Sequence, residues 1–556
     1  MKILNKKYFL VAALLTTICF SCEDLTEINE NPNGVPPDNV NPNLVLPTVL
    51  TETGKAFVSL GYGDVAGVMQ HTQKDGWWSG HNDYDWSNQD WAGYYAILTD
   101  NKLVYDRAVE LEYEFHQGVT LVVKSMMFGL ITDLWGDAPY TEALLGEELG
   151  EGLAPKFDDQ ETIYTGILAD LELANTLLSK EQSEYTGIVE DVDVYFGGDA
   201  AAWRKLANSL SLRYYMRISA KKPDVAKAGI EKIVGNPSLY PINTNSGDDA
   251  TMEYTGTSAD TSWPNNTVFD KSESNYSRSK MAATLVEELQ SLNDARLGVW
   301  ANKVEIPLVV DASFPDGTDE IVEIDGKKYR HISPDVIGDT PVDTDPEYVG
   351  LPTSLTGLPV MYNLNPSANQ GEYNPHVSQL NDIYRDASGG LLKARLMSAS
   401  EVHFILAEAA LKGWATGTAK EHYEAGVQSS LETWDVADSY DDYISQPTVE
   451  YNDGDTDAEN LRKIMTQKWI SSWTAATESW FDYRRTGLPD LQAGPSAKRS
   501  KLPVRFYYGT TELLLNAGKA NVALDKLTTT TYSGADGKNS AWSKPWLIEG
   551  TGKPWE

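Results

Sequence analysis

The sequence predicts a mainly α-helical protein in which tetratricopeptide-like helical hairpins form a scaffold and long irregular loops build a ligand-binding face. Three observations predict it. Amphipathic segments with capping residues recur along the chain, aromatic-rich segments without helical periodicity separate them, and no cysteine follows residue 22. A hydrophobic core, not a disulfide framework, must therefore hold the fold. No Ser/Gly-rich or Pro-rich linker divides the 556 residues, which argues for one large domain over 48–556.

The first element is a leader. Lys2, Lys6 and Lys7 precede an apolar run from Tyr8 to Phe20, and Ser21 supplies a small residue before Cys22. This is the layout of a secretory signal peptide over 1–21, too short for a membrane span. Cys19 and Cys22 enclose only Phe20 and Ser21, and no partner ligands follow to support a disulfide framework or a metal site. A cysteine directly after the cleavage point resembles a bacterial lipoprotein signal, which makes Cys22 the expected lipidated residue. Residues 22–47, acidic and rich in Asn and Pro, read as a tether.

Helical signals dominate the rest of the chain. Residues 105–134 run with few breakers, ending before Gly136 and Pro139. Asp159 caps a stretch to Leu178 that places Ile163, Ile167, Leu171 and Ala174 on one face. Residues 199–218 repeat the pattern with Trp203, Leu206, Leu210 and Tyr214, and further helices are expected over 281–291, 398–412, 419–431 and 459–471. Pairs such as 159–178 with 199–218 suggest stacked hairpins, although no clean 34-residue repeat is present. Irregular insertions at about 236–280 and 301–397 carry Pro, Gly, Asn, Asp and aromatic residues, the composition of ordered functional loops.

Charge narrows the partners. With 45 Lys and Arg against 81 Asp and Glu, the chain carries −36, which disfavours nucleic acid and leaves membrane attachment to acyl chains. Catalytic signals are absent: no G-x-S-x-G, H-E-x-x-H or P-loop motif occurs. His71 and His81 lack metal-ligand spacing, and Asp133 and Asp137 read as caps and local hydrogen-bond acceptors. Asp453, Asp455 and Asp457 imitate a calcium loop but have Ala458 and Ile464 where glycine and glutamate belong. No cofactor is expected, and a structural calcium ion has no motif to support it.

The aromatic count points to binding. There are 16 Trp and 29 Tyr against 12 Phe, so most rings carry a polar handle suited to partly exposed faces. The densest cluster spans residues 77–95. Trp91 and Tyr95 lead into a helix and read as core, whereas Trp77, Trp78, Tyr84 and Trp86 sit among Gly, Ser, Asn and Asp and are candidate ligand contacts. Trp263 and Trp300, near the other loops, are further candidates. Sugar faces or an extended peptide would suit such a platform.

Several stretches then assemble in order: DLWGDAPYTEA (133–143), PKFDDQETIY (155–164), FGGDAAAWRKLANSLSLRYYMRIS (196–219), SASEVHFILAEAALKGW (398–414), AKEHYEAGVQSSLETW (419–434), IMTQKWISSW (464–473), SWFDYRRTGLPDL (479–491) and LPVRFYYGTTELLLN (502–516). Together they resemble the SusD/RagB family of outer-membrane nutrient-binding lipoproteins. The departure is YYGTTE at 507–512, which lacks the family's Tyr-Pro. The resemblance implies four tetratricopeptide-like helix pairs and a lipid-anchored, surface-exposed protein of a Bacteroidetes outer membrane. It also implies a hinged lid over a SusC-like TonB-dependent transporter, with oligosaccharide or peptide as cargo and no catalysis. Trp203, Asn208, Arg213, Trp469 and Arg484, which carry family motifs, are then expected in scaffold or transporter-docking roles. A cell-surface glycoside hydrolase is the alternative from a different class.

Overall fold

Asn41 opens the first helix by accepting a hydrogen bond from the Asn43 amide, and Pro42 occupies the first turn, where its missing N–H costs nothing. This helix, α1 (Pro42–Gly61), starts inside the segment read as tether, so residues 42–47 belong to the scaffold. The structure, a computed structural model, describes residues 39–555 apart from 87–88, 147–153, 368 and 370–371. The leader, Cys22 and the rest of the tether lie outside the described residues.

The single helix expected over 105–134 is two. Helix α2 (Ala92–Glu110) ends where the Tyr113 amide bonds the Ala108 carbonyl and the Glu112 amide bonds that of Val109. This is a Schellman closure, with Glu112 at φ 56° where glycine is usual, so the sequence offered no stop signal. Helix α3 (Glu114–Trp135) follows and is long and apolar enough to cross a membrane, yet 94% of its most apolar window is buried inside the fold. It is a core helix. Gly136, at φ 103°, turns the chain away from it.

The capped helices match expectation closely. Asp159 accepts from the Thr162 amide to start α4 (Gln160–Leu177), and Asp199 accepts from Ala201 and Ala202 to start α5 (Ala200–Ile218). Helix α6 (Pro223–Val234) packs on α5. After the long insertion, Ser398 caps α7 (Ala399–Leu411), Thr418 caps α8 (Ala419–Thr433), and a Thr456–Glu459 capping box opens α9 (Asp457–Ser471). Helix α10 (Ala476–Thr486) ends on left-handed Gly487. Consecutive helices from α2 to α6 pack as neighbours, as do α7, α8 and α9, and α7 touches α5 to join the two groups.

The insertions hold more strand than the sequence suggested. Strand β1 (Thr72–Lys74) pairs antiparallel with β3 (Ser279–Met281), and β2 (Ala250–Glu253) with β7 (Lys393–Met397). A separate sheet runs β4–β6–β5, from Leu308–Val310, Lys327–Ile332 and Asp319–Ile324. One hydrophobic cluster nevertheless extends from Leu46 to Trp555, with small satellites around Val349 and Ile332.

Buried ion pairs cross this core. The Asp133 carboxylate at the end of α3 accepts from Arg217 Nη1 (2.7 Å) on α5, Arg484 Nη2 (3.0 Å) on α10 and the Tyr164 hydroxyl (2.8 Å) on α4. It is a long-range hub, not the local cap expected, and Asp137 likewise bonds distant residues, accepting from the Gln160 amide (3.1 Å) at the start of α4 and from Lys526 Nζ (2.8 Å). Both guanidiniums also face the Phe481 ring, at 4.5 and 4.4 Å. A second network joins α7, α9 and α10 through Arg485–Glu408, Arg485–Asp482 (2.9 Å) and Lys468–Asp482 (2.7 Å). The family-motif residues Trp203, Asn208, Arg213, Trp469 and Arg484 are all buried, which makes them scaffold.

Replacing Asp133 by alanine leaves Arg484 buried without a counter-charge and Arg217 with Glu478 alone, and the expected loss in urea unfolding free energy is about 3–5 kcal/mol. Burial opposes ionisation of Asp482, but Lys468, Arg485 and Arg217 outweigh it and hold its carboxyl well below the usual carboxylate range. A folded-state pKa below the unfolded one stabilises above about pH 4, and the contribution is lost as pH falls through the folded value. The stability gap between wild type and Asp482→Asn is therefore expected to be widest at neutral pH and to shrink in acid. A gap constant down to pH 3 would refute the assignment.

Candidate ligand-binding site

The loop after β1 is built from the inside outward. Asn82 clamps its base, accepting from the Lys74 amide (2.9 Å) and donating to the Lys74 carbonyl (2.8 Å). The Gly80 amide donates to Asp83 Oδ1 (2.7 Å), and the Lys498 amide donates to the Asp83 carbonyl (2.8 Å). Trp86 anchors the far side: its Nε1 donates to the Gly80 carbonyl (2.8 Å), and its ring meets Phe506 and Trp480 edge-on at 4.9 and 5.1 Å. The loop is thus tied to the core at both ends.

That anchoring corrects four of the six candidate ligand contacts. Tyr84, Trp86, Trp263 and Trp300 are at most 1% exposed, and a ring enclosed on both faces has none to offer a ligand. Trp263 packs among Tyr62, Tyr254 and Tyr384, while Trp300 stacks on Trp473 at 5.1 Å and meets Trp434 edge-on. Burial pushes the Tyr84 phenol up to about 12. Trp91 is core, as expected, and Tyr95 donates to the Pro139 carbonyl (2.6 Å).

Trp77 and Trp78 remain. Trp78 is half-buried, its carbonyl accepting from the His81 and Asn82 amides. Trp77 is 72% exposed at φ 49°, a left-handed conformation that turns the bulky side chain out of the loop. One face of its indole carries the Arg278 guanidinium, 3.9 Å from the ring centroid. The pairing of β1 with β3 brings the two together: Lys74 lies opposite Ser279, and the Asp75 amide donates to the Arg278 carbonyl (3.0 Å). Sequence reasoning missed Arg278, because no local pattern reports a register set between distant strands.

The surroundings are polar and partly charged. Arg278 donates to Asn275 Oδ1 (3.1 Å), and its buried Nε has no acceptor. Burial lowers the Lys74 pKa; Asp64 opposes this and Arg278 adds to it. His71 and His81 behave as core residues: His71 Nε2 meets the Trp469 carbonyl (3.1 Å), and burial brings its pKa down to about 3. Among the described residues no group of three or more His, Cys, Asp or Glu is placed to hold a metal. An indole braced by a guanidinium can stack on an apolar sugar face while N–H groups reach hydroxyls. A groove of about 550 Å³ between α1 and α2, lined by Glu52, Lys55, Tyr94 and Ile97, is one of several competing concavities.

A family model described as "Starch-binding associating with outer membrane" matches residues 48–308 and 339–509. The chain belongs to this SusD-like family. Solved structures agree on the fold. An outer-membrane protein from Bacteroides vulgatus, described in connection with nutrient binding, is 24% identical and superposes with a TM-score of 0.71 over 92% of this chain and 100% of its own. A SusD homologue from Bacteroides fragilis gives 20%, 0.67, 92% and 99%. A chitin-binding SusD homologue from Flavobacterium johnsoniae gives 22%, 0.66, 89% and 98%. No curated protein matches the sequence. The description of the SusD-like family is one of carbohydrate binding at the outer membrane.

Burial separates the tryptophans energetically. Trp86→Ala and Trp300→Ala are each expected to cost about 3–5 kcal/mol in urea unfolding, and Trp77→Ala less than about 0.5 kcal/mol. Equal costs for Trp77 and Trp86 would contradict the placement of this loop.

Proposed function

We propose that this SusD-like protein is a non-catalytic cell-surface lipoprotein that captures oligosaccharides and delivers them to a SusC-like TonB-dependent outer-membrane transporter. Cys22 is the lipidated anchor in this reading, and the helical domain acts as a hinged lid over the transporter. The observation that carries it is Trp77, an exposed indole braced by Arg278 on a loop pinned to the core. Such a ring is ordered before the ligand arrives, so little conformational entropy is lost on binding. Trp78, half-buried beside it, completes the nominated face.

Peptide cargo is the second reading. It is favoured by the Arg278 guanidinium, a cation set against the exposed Trp77 ring, which suits a carboxylate. The chitin-binding relative makes soluble chitin derivatives a sensible first probe beside starch and other glycans.

Affinity electrophoresis of the chain from residue 23 through polysaccharide gels, beside calorimetry with mixed oligopeptides, tests both readings. Retardation by one glycan is expected, weakened about tenfold or more by Trp77→Ala, a difference of ~1.4 kcal/mol. Heat with peptides and no retardation would move the cargo to peptide. Shortened glycan products after incubation with purified protein would overturn the non-catalytic assignment.

A further inference from the structure

His403 on α7 and His422 on α8 face each other across the hairpin with their Nδ1 atoms 3.2 Å apart. Each ring is fixed from its other side. His403 Nε2 lies 3.0 Å from the Thr244 carbonyl oxygen, and His422 Nε2 lies 2.7 Å from that of Thr416. A carbonyl oxygen only accepts, so both Nε2 atoms carry the hydrogen. A neutral imidazole has one N–H, so each Nδ1 turns a bare lone pair toward the other. Two lone pairs at this distance repel unless a positive charge sits between them.

A proton or a metal ion would meet that need, and the surroundings favour the metal. A metal ion requires a bare Nδ1 on each ring, which is what the two Nε2 contacts leave. Two nitrogens bound to one tetrahedral zinc at ~2.0–2.1 Å stand about 3.3 Å apart. The outer ring N–H of a metal-bound histidine is ordinarily donated to a carbonyl or carboxylate, as both are here. Inclined by 34° and only half-buried, the rings leave the gap within reach of solvent.

We propose that His403 and His422 form a two-imidazole site for a borderline divalent transition cation of the zinc class. Among the described residues no third His, Cys, Asp or Glu joins them, so water completes the coordination. The site is independent of the Trp77 face. A bound ion would clip α7 to α8 and, through the two carbonyls, hold the loops at Thr244 and Thr416 against the hairpin.

The test is calorimetry with zinc chloride on the tag-free chain from residue 23, with thermal unfolding in parallel. Wild type is expected to bind one equivalent and to gain thermal stability on zinc addition, and His403→Gln and His422→Gln to lose both responses. His71, His81, His116 and His376 are buried and do not compete for the ion, and the half-buried His331, stacked on Phe314 at 4.7 Å, is the control position, where His331→Gln is expected to leave zinc binding unchanged. Should a variant fail to fold, histidine ring resonances of the wild type report directly: zinc is expected to shift two rings together. No saturable zinc binding by the wild type, binding retained in both variants, or a pair that titrates with pH and ignores zinc would each overturn the proposal.

Discussion

The Asp133 carboxylate has to be compensated without water, and the arrangement of four helices follows from that need. Taking an ion out of water costs several kcal/mol unless charge and hydrogen bonds replace the lost hydration. Arg217, Arg484 and the Tyr164 hydroxyl supply them, and each comes from a different helix, so α3, α4, α5 and α10 are held in one register. The compensation then spreads. Arg217 also pairs with Glu478, Glu478 with Arg213 (3.5 Å), and Arg213 with Glu401 (2.6 Å) at the start of α7. One line of alternating charge thereby joins the two helical groups that the long insertion separates in sequence.

Much of this scaffold was legible because its signals are local. Asp159, Asp199, Ser398 and Thr418 announce their helices through a side chain that bonds an amide two or three residues on, and the helices begin where those caps stand. Failures came where a local signal was missing or ambiguous. Glu112 adopts a conformation that the sequence would have marked only with glycine, and Pro42 beside Asn41 reads equally well as tether or helix start. The candidate site was half legible for a different reason. Trp77 and Trp86 share the same Gly, Ser, Asn and Asp company, and only the tertiary fold decides that Trp86 finds the Gly80 carbonyl and two aromatic neighbours while Trp77 remains outside. The His403–His422 pair was equally invisible, since it depends on how two helices pack and has no motif spacing.

Rigidity and exposure are divided unusually sharply across the loop after β1. Its backbone is held by Asn82, Asp83, Lys498 and Ser354, all of them bonded to loop carbonyls or amides, so the loop behaves as an extension of the core. Among its described residues the exposed large apolar surface is the Trp77 indole, with Trp78 half-buried beside it. Recognition by a pre-set ring tolerates variety in the hydroxyl pattern of a sugar, because stacking reads the shape of a face and leaves discrimination to the polar groups around it. Members of one fold can then differ in cargo while keeping the scaffold, and the fold alone does not name the ligand.

The union of β1 with β3 couples the binding face to the order in which the molecule is assembled. Thr72, Gln73 and Lys74 meet Met281, Lys280 and Ser279 across an intervening stretch that holds the five helices α2 to α6. Contacts so distant along the chain close late, when the entropy of the long loop has been offset by everything between. Arg278 therefore reaches the indole through a contact of high sequence separation, whose closure entropy the packed helices between have to offset. A chain still immature in its helical half carries a bare tryptophan and no brace, and competence to take cargo arrives together with the finished fold.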